Sequence, residues 1–92
     1  MAERDEIAGL IGQVVALDTS TPFVYVGRLK EWTEHFVTLT DADAHDSTEG
    51  RSGKELYLLE TRREGVHPNR HEIHVVKSRI VSISRLEDVI VF

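Results

Sequence analysis

The stretch FVYVGRLKEWTEHFVTLTDADA, residues 23 to 44, limits the possible folds more than any other part of the chain. Phe23, Tyr25, Gly27 and Leu29 alternate with Val24, Val26 and Arg28, the period of two expected of a strand. Apolar residues on both faces require cover on both sides, so this strand belongs in the middle of a sheet. Glycine inside a strand weakens it unless the backbone bends or a neighbour comes close. Gly27 is therefore expected to mark a bend, with Arg28 to Trp32 turning a corner. Polar Thr33, Glu34 and His35 then form a short loop. Alternation returns as Phe36, Thr38 and Thr40 against Val37 and Leu39, a third strand antiparallel to the second.

On the N-terminal side, Ile7, Leu10 and Ile11 recur at helical spacing behind Asp5 and Glu6, and Gly12 suits an exit, which predicts a helix over 3–12. Gln13 to Asp18 reads as a strand closed by the turn formers Thr19 to Pro22. Strands one to three thus fill 13–46. An insertion spans 47–70, opening within the polar stretch His45 to Gly53. In its second half Leu56, Leu59 and Arg63 share a helical face with Tyr57 beside them, and Gly65 and Pro68 end the pattern. A strand through ELYLLET is the competing assignment, since those residues also alternate. Two more strands, His71 to Lys77 and Ile80 to Arg85, occupy 71–86 around a tight corner at Ser78. An apolar tail, 87–92, follows. Its Val89 to Phe92 are expected to bury against the barrel or a neighbouring subunit, because apolar surface left in water is costly.

The expected fold is mainly β in one domain: an N-terminal helix, then a strongly bent five-stranded antiparallel small barrel with a helical insertion between strands three and four. Curling lets so short a chain enclose a core. At 92 residues, buried area only just offsets chain entropy, and self-association helps. An open barrel also leaves two unpaired edges that invite pairing with another copy.

Formal charge is −5, which argues against a general nucleic-acid binder. The charge is nonetheless uneven. Residues 1 to 46 are acid-rich, with Arg4, Arg28 and Lys30 as their fixed positive charges, whereas Arg62, Arg63, Arg70, Lys77 and Arg79 cluster later beside His67, His71 and His74. No stretch has the roughly 18 apolar residues that cross a bilayer, and MAERDEIAGLIG lacks the order of an export signal, so a cytoplasmic protein without a membrane partner is expected.

Cysteine is absent, which removes disulfides and thiolate metal sites. His71 and His74, three apart in a strand, fall on opposite faces and do not chelate one ion. Asp41, Asp43 and His45 share a strand parity that would suit a divalent cation, yet acidic strand ends running into a loop are the commoner case. The serines lack a nucleophile-elbow context, and STEGRSGK lacks the glycine spacing of a phosphate loop. No catalytic activity, metal or cofactor is expected.

The pattern resembles the Sm-like (LSm) family, as a divergent bacterial-type member with an insertion between strands three and four. The family's first motif is similar to VVALDTSTPFVYVGRLKEWTEHFVTLTDAD, with Tyr25, Gly27, Leu29 and Trp32 as fold-defining positions and Leu39 and Asp41 in matching places. Its second motif is similar to VVKSRIVSIS, Val75 to Ser84. The resemblance implies a non-catalytic homo-oligomeric ring, formed by pairing strand four of one copy with strand five of the next, and single-stranded RNA bound at the pore. The positions carried over for RNA are His35 for stacking and Lys77, Ser78 and Arg79 at the second motif. This chain departs from the pattern by holding Thr33 where an Asp is expected, no Asn in that loop, Lys77 for an Arg and Ser78 for a Gly. Lys meets phosphate without reproducing the planar fork of Arg. The alternative is an oligomeric scaffold or protein-interaction module that has lost RNA recognition and uses 47–70 as its contact surface.

Overall fold

The computed structural model describes residues 7–49 and 53–91. Its strands are β1 (Val14–Thr19), β2 (Phe23–Trp32), β3 (Phe36–Asp46), β4 (Arg70–Val76) and β5 (Ile80–Arg85), and the helix α1 (Lys54–Glu64) lies between β3 and β4. All neighbours pair antiparallel, in the order β4-β3-β2-β1-β5. β2 is central, as its two apolar faces require.

β4 and β5 are consecutive, joined by the three-residue turn Lys77–Arg79, yet they occupy opposite edges of the sheet. A flat sheet cannot place its two borders three residues apart; a curled one can. The core agrees. Val15 and Leu17 of β1, Leu29 of β2, Val37 and Leu39 of β3 and Val75 of β4 form one buried cluster, and Ile80 and Ile83 of β5 pack against it. All five strands therefore look into one interior.

The curl is built from register shifts. Val26 pairs with Asp43 and Arg28 with Thr40, so Gly27 faces two residues, Asp41 and Ala42, and β3 carries the extra one. Asp41 takes up the distortion with φ of 46°. At Gly27 an added Cβ would lie 2.7 Å from the Ala42 Cβ and 3.1 Å from the Thr40 carbonyl oxygen, a close approach that admits no side chain. A second shift follows at once, since Leu29 pairs with Leu39 but Glu31 with Thr38, leaving Lys30 as the extra residue of β2. The expected bend at Gly27 and corner to Trp32 thus arise from two bulges on a single strand pair.

The expected helix over 3–12 is corrected. Residues 3–6 lie outside the described residues, and of the remainder only Ile7 and Ala8 have helical backbone before a turn begins. The amides of Leu10, Ile11 and Gln13 each donate three residues back, to Ile7, Ala8 and Leu10, the bonding of successive tight turns. Gly12, with φ of 88°, then donates to the Leu29 carbonyl at 2.7 Å, and Gln13 O accepts from Leu29 N at 2.8 Å. Gly12 and Gln13 are thus already bonded to Leu29 of β2 just before β1 begins, so the apolar spacing of Ile7, Leu10 and Ile11 serves turns that lay Ile7 and Leu10 on the core.

The competition over 54–63 resolves to helix, but on another face than the spacing suggested. Tyr57 and Thr61 are the buried residues of α1, while Leu56 is exposed. Tyr57 completes a second cluster with Ala16, Val24 and Val26 on the sheet face opposite the interior. The start of α1 is held by Lys54, whose Nζ donates to Asp18 Oδ1 at 2.8 Å and to the carbonyls of Thr19 and Thr21 at 2.9 and 2.8 Å. β3 ends at Asp46, the last residue of the expected 13–46 span. Of the described tail residues Ile90 and Val91 are exposed, at 76% and 44%, while Val89 is half-buried.

Candidate nucleic-acid interface

The loop between β2 and β3 and the turn between β4 and β5 meet at one end of the barrel. Lys77 N donates to the His35 carbonyl at 2.8 Å, continuing the β3–β4 ladder past its last pair, Phe36 with Val76. The β2–β3 loop is itself tied by Thr33, whose amide donates to Phe36 O at 2.8 Å and whose hydroxyl accepts from Phe36 N at 3.1 Å. Thr33 therefore acts as a turn-former here.

Between the two segments lies an open recess of about 410 Å³ lined by Glu34, His35, Phe36, Val76, Lys77 and Ser78. Three of the four residues singled out for RNA, His35, Lys77 and Ser78, line it together. Arg79 does not line it. It stands exposed one residue further on, where its carbonyl accepts from Ser20 N at 2.8 Å. The His35 imidazole is exposed, as a stacking role requires. Lys77 Nζ lies 4.8 Å from the centroid of the Trp32 ring, a cation–π distance, and Trp32 packs part-buried against the core.

Phe36 is the residue the sequence reading missed. Its alternation with Val37 and Leu39 marks it as one face of a strand. In the structure it is exposed beside the recess, with the His74 ring edge-on at 6.4 Å. An exposed aromatic at the mouth of a recess that holds a lysine suits base stacking. The one signal available was its position as the first residue after a polar loop.

Other singled-out groups are engaged elsewhere. His74 Nδ1 and Thr38 Oγ1 are hydrogen-bonded at 2.8 Å, and Lys30 donates to Glu72 at 2.8 Å, holding that carboxyl below its ordinary range. Asp43 Oδ2 accepts from the Tyr57 hydroxyl at 2.6 Å, and His45 stacks on the Tyr57 ring with centroids 3.9 Å apart. Asp43 and His45 thus anchor α1, and Asp41 sits at the bulge. Among the described residues no group of three or more His, Asp or Glu side chains is placed to hold a metal ion. No helix among them is long and apolar enough to cross a membrane.

The architecture is that of Sm proteins. Similar solved structures include an Sm protein of Pyrococcus abyssii in complex with a uridine heptamer, at TM-score 0.62 and 20% identity over 89% of this chain and 94% of that one. An Sm-like protein of Archaeoglobus fulgidus matches at TM-score 0.60 and 14% identity, over 89% and 91%. At such identities the likeness defines the fold, and the fold is Sm-like. No protein-family model and no curated protein sequence matches the chain.

Proposed function

We propose that this chain is a non-catalytic Sm-like protein that assembles into a homo-oligomeric ring through its β4 and β5 edges and binds single-stranded RNA at the recess beside the pore. The observation that carries the RNA reading is the Lys77 N to His35 O hydrogen bond, which fixes a cationic turn against an imidazole-bearing loop. In this arrangement His35 and Phe36 supply ring faces for bases, Lys77 supplies a phosphate contact, and Arg79 adds charge at the rim. The uridine heptamer bound by the Pyrococcus protein makes oligouridine the first ligand to try.

One observation favours the second reading, a scaffold ring without RNA. Glu34 lines the same recess, in a chain of formal charge −5, and opposes a phosphate there.

Titrating labelled oligouridine into the purified protein separates the two. RNA binding predicts affinity that falls with salt, and a Lys77→Ala, Arg79→Ala double variant that binds weakly. If both residues meet phosphate, the log–log salt slope of that variant is shallower by about 1.4. No binding at about 50 mM salt leaves the scaffold reading.

A further inference from the structure

The exposed large apolar side chains of the described residues are unevenly distributed. Apart from Ile11 and Val91, they lie beside the two open borders of the sheet: Phe36 and Val76 next to β4, and Leu56, Val81 and Ile90 on the β5 side. On that second side runs a groove of about 630 Å³, with Leu56 and Leu59 of α1 along one wall, Ser82 and Ser84 of β5 as its floor, and Val89 and Ile90 along the other wall. Three acids also line it. Asp18 is bound by Lys54 at 2.8 Å and Asp88 by Arg85 at 2.9 Å. The Glu55 carboxylate has no ion pair among the described residues.

The opposite border offers the complement. Along β4 the period of two puts Arg70, Glu72, His74 and Val76 on one face and Ile73 and Val75 on the other. Ile73 and Val75 join the interior cluster, as does Ile83 of β5, whereas Ser82 and Ser84 turn to the groove side. Extending the sheet by setting another β4 beside β5 therefore continues the interior with Ile73 and Val75 and lays the Arg70–Val76 face over the groove. On that face Glu72 is already neutralised by Lys30 of its own chain. What remains to meet Glu55 and the leucines is a guanidinium, an imidazole and a valine.

We infer that the groove between α1 and the tail takes the Arg70–Val76 face of a second copy, so that the insertion helix, and not the strand border alone, chooses the neighbour. This rests on the ring reading above. The geometry assigns Leu56, Leu59 and Ile90 to apolar packing against the incoming Val76, and Glu55 to the rim charge facing Arg70.

The experiment measures the oligomer distribution of the full chain by analytical ultracentrifugation across a dilution series, for wild type, Leu56→Glu and Ile11→Glu. The two leucine and isoleucine positions are matched, at 46% and 45% exposure, so neither charge disturbs the fold by burial. Circular dichroism checks that both variants keep the wild-type spectrum. The inference predicts that Leu56→Glu dissociates at a concentration about tenfold higher or more, as loss of one well-buried leucine contact requires, while Ile11→Glu follows wild type. A wild type that assembles and a Leu56→Glu variant that assembles equally well overturn the inference and leave the ring standing. A wild type that stays monomeric removes the ring, and the occupant of the groove with it.

Discussion

At Gly27 a single hydrogen decides the shape of the sheet. The Ala42 methyl and the Thr40 carbonyl stand where a β-carbon would go, so Gly27→Ala must push β3 away at the bulge that bends it. A cost of about 1–3 kcal/mol is expected for that overpacking, read as a lower urea midpoint at unchanged m-value. Adding Ala42→Gly to the variant removes the nearest atom, at 2.7 Å, but leaves the carbonyl at 3.1 Å, so it recovers only part of the loss. An unchanged midpoint in Gly27→Ala would show that the strands separate freely here. This residue was legible from sequence, because a glycine amid Val24, Val26 and Leu29 has no other common explanation. Its partner was not. Asp41 with φ of 46° and the extra residue in β3 depend on which residues oppose Gly27, and pairing register is not written in either strand alone.

Among the elements, α1 packs on the outer face of a sheet that already encloses its interior. It is held by an ammonium clasp at Lys54, by Tyr57 under the helix, and by the stacked His45 ring. Burial first, and then the hydrogen bond to Asp43, push the Tyr57 hydroxyl well above its ordinary pKa of 10.0. Below about pH 10 the phenol is protonated in both states and its contribution is complete; above that, the unfolded chain releases a proton the folded chain retains, and stability falls as pH rises. Tyr57→Phe is expected to cost about 1–2 kcal/mol at neutral pH and to flatten that alkaline decline, measured by urea unfolding between pH 8 and 11. Tyr25, raised by burial as well, leaves a residual slope. Parallel declines in the two proteins would place the effect elsewhere. Sequence spacing left helix and strand in competition here and put Leu56 and Leu59 on the apolar face; they outrank Tyr57 in hydropathy, but a tyrosine with Asp43 in reach buries its ring and satisfies its hydroxyl. At the N-terminus, helical spacing at Ile7, Leu10 and Ile11 served turns, since the ladder with Leu29 claims the chain from Gly12 onward.

On the scale of the whole molecule, five strands curl around one interior and stop short of closing, with β4 and β5 as unpaired borders. That outline was legible from the alternation, the glycine and the tight corner at Ser78. The recess was legible in part. His35, Lys77 and Ser78 converge as the motif order implies, but Arg79 stands apart and Phe36 joins them, outcomes set by the turn at Lys77–Arg79 and the pairing of Phe36 with Val76. In the proposed ring, the apolar side chains exposed beside both borders would supply the driving force, and pairing one copy's β4 with the next copy's β5 would be head-to-tail association that closes or propagates. The mass of the native particle, measured by native mass spectrometry or sedimentation equilibrium at about 10–100 μM, tests this most directly. A closed ring gives one species at a fixed multiple of 10.4 kDa, independent of concentration over that range. A particle of 10.4 kDa throughout would contradict it.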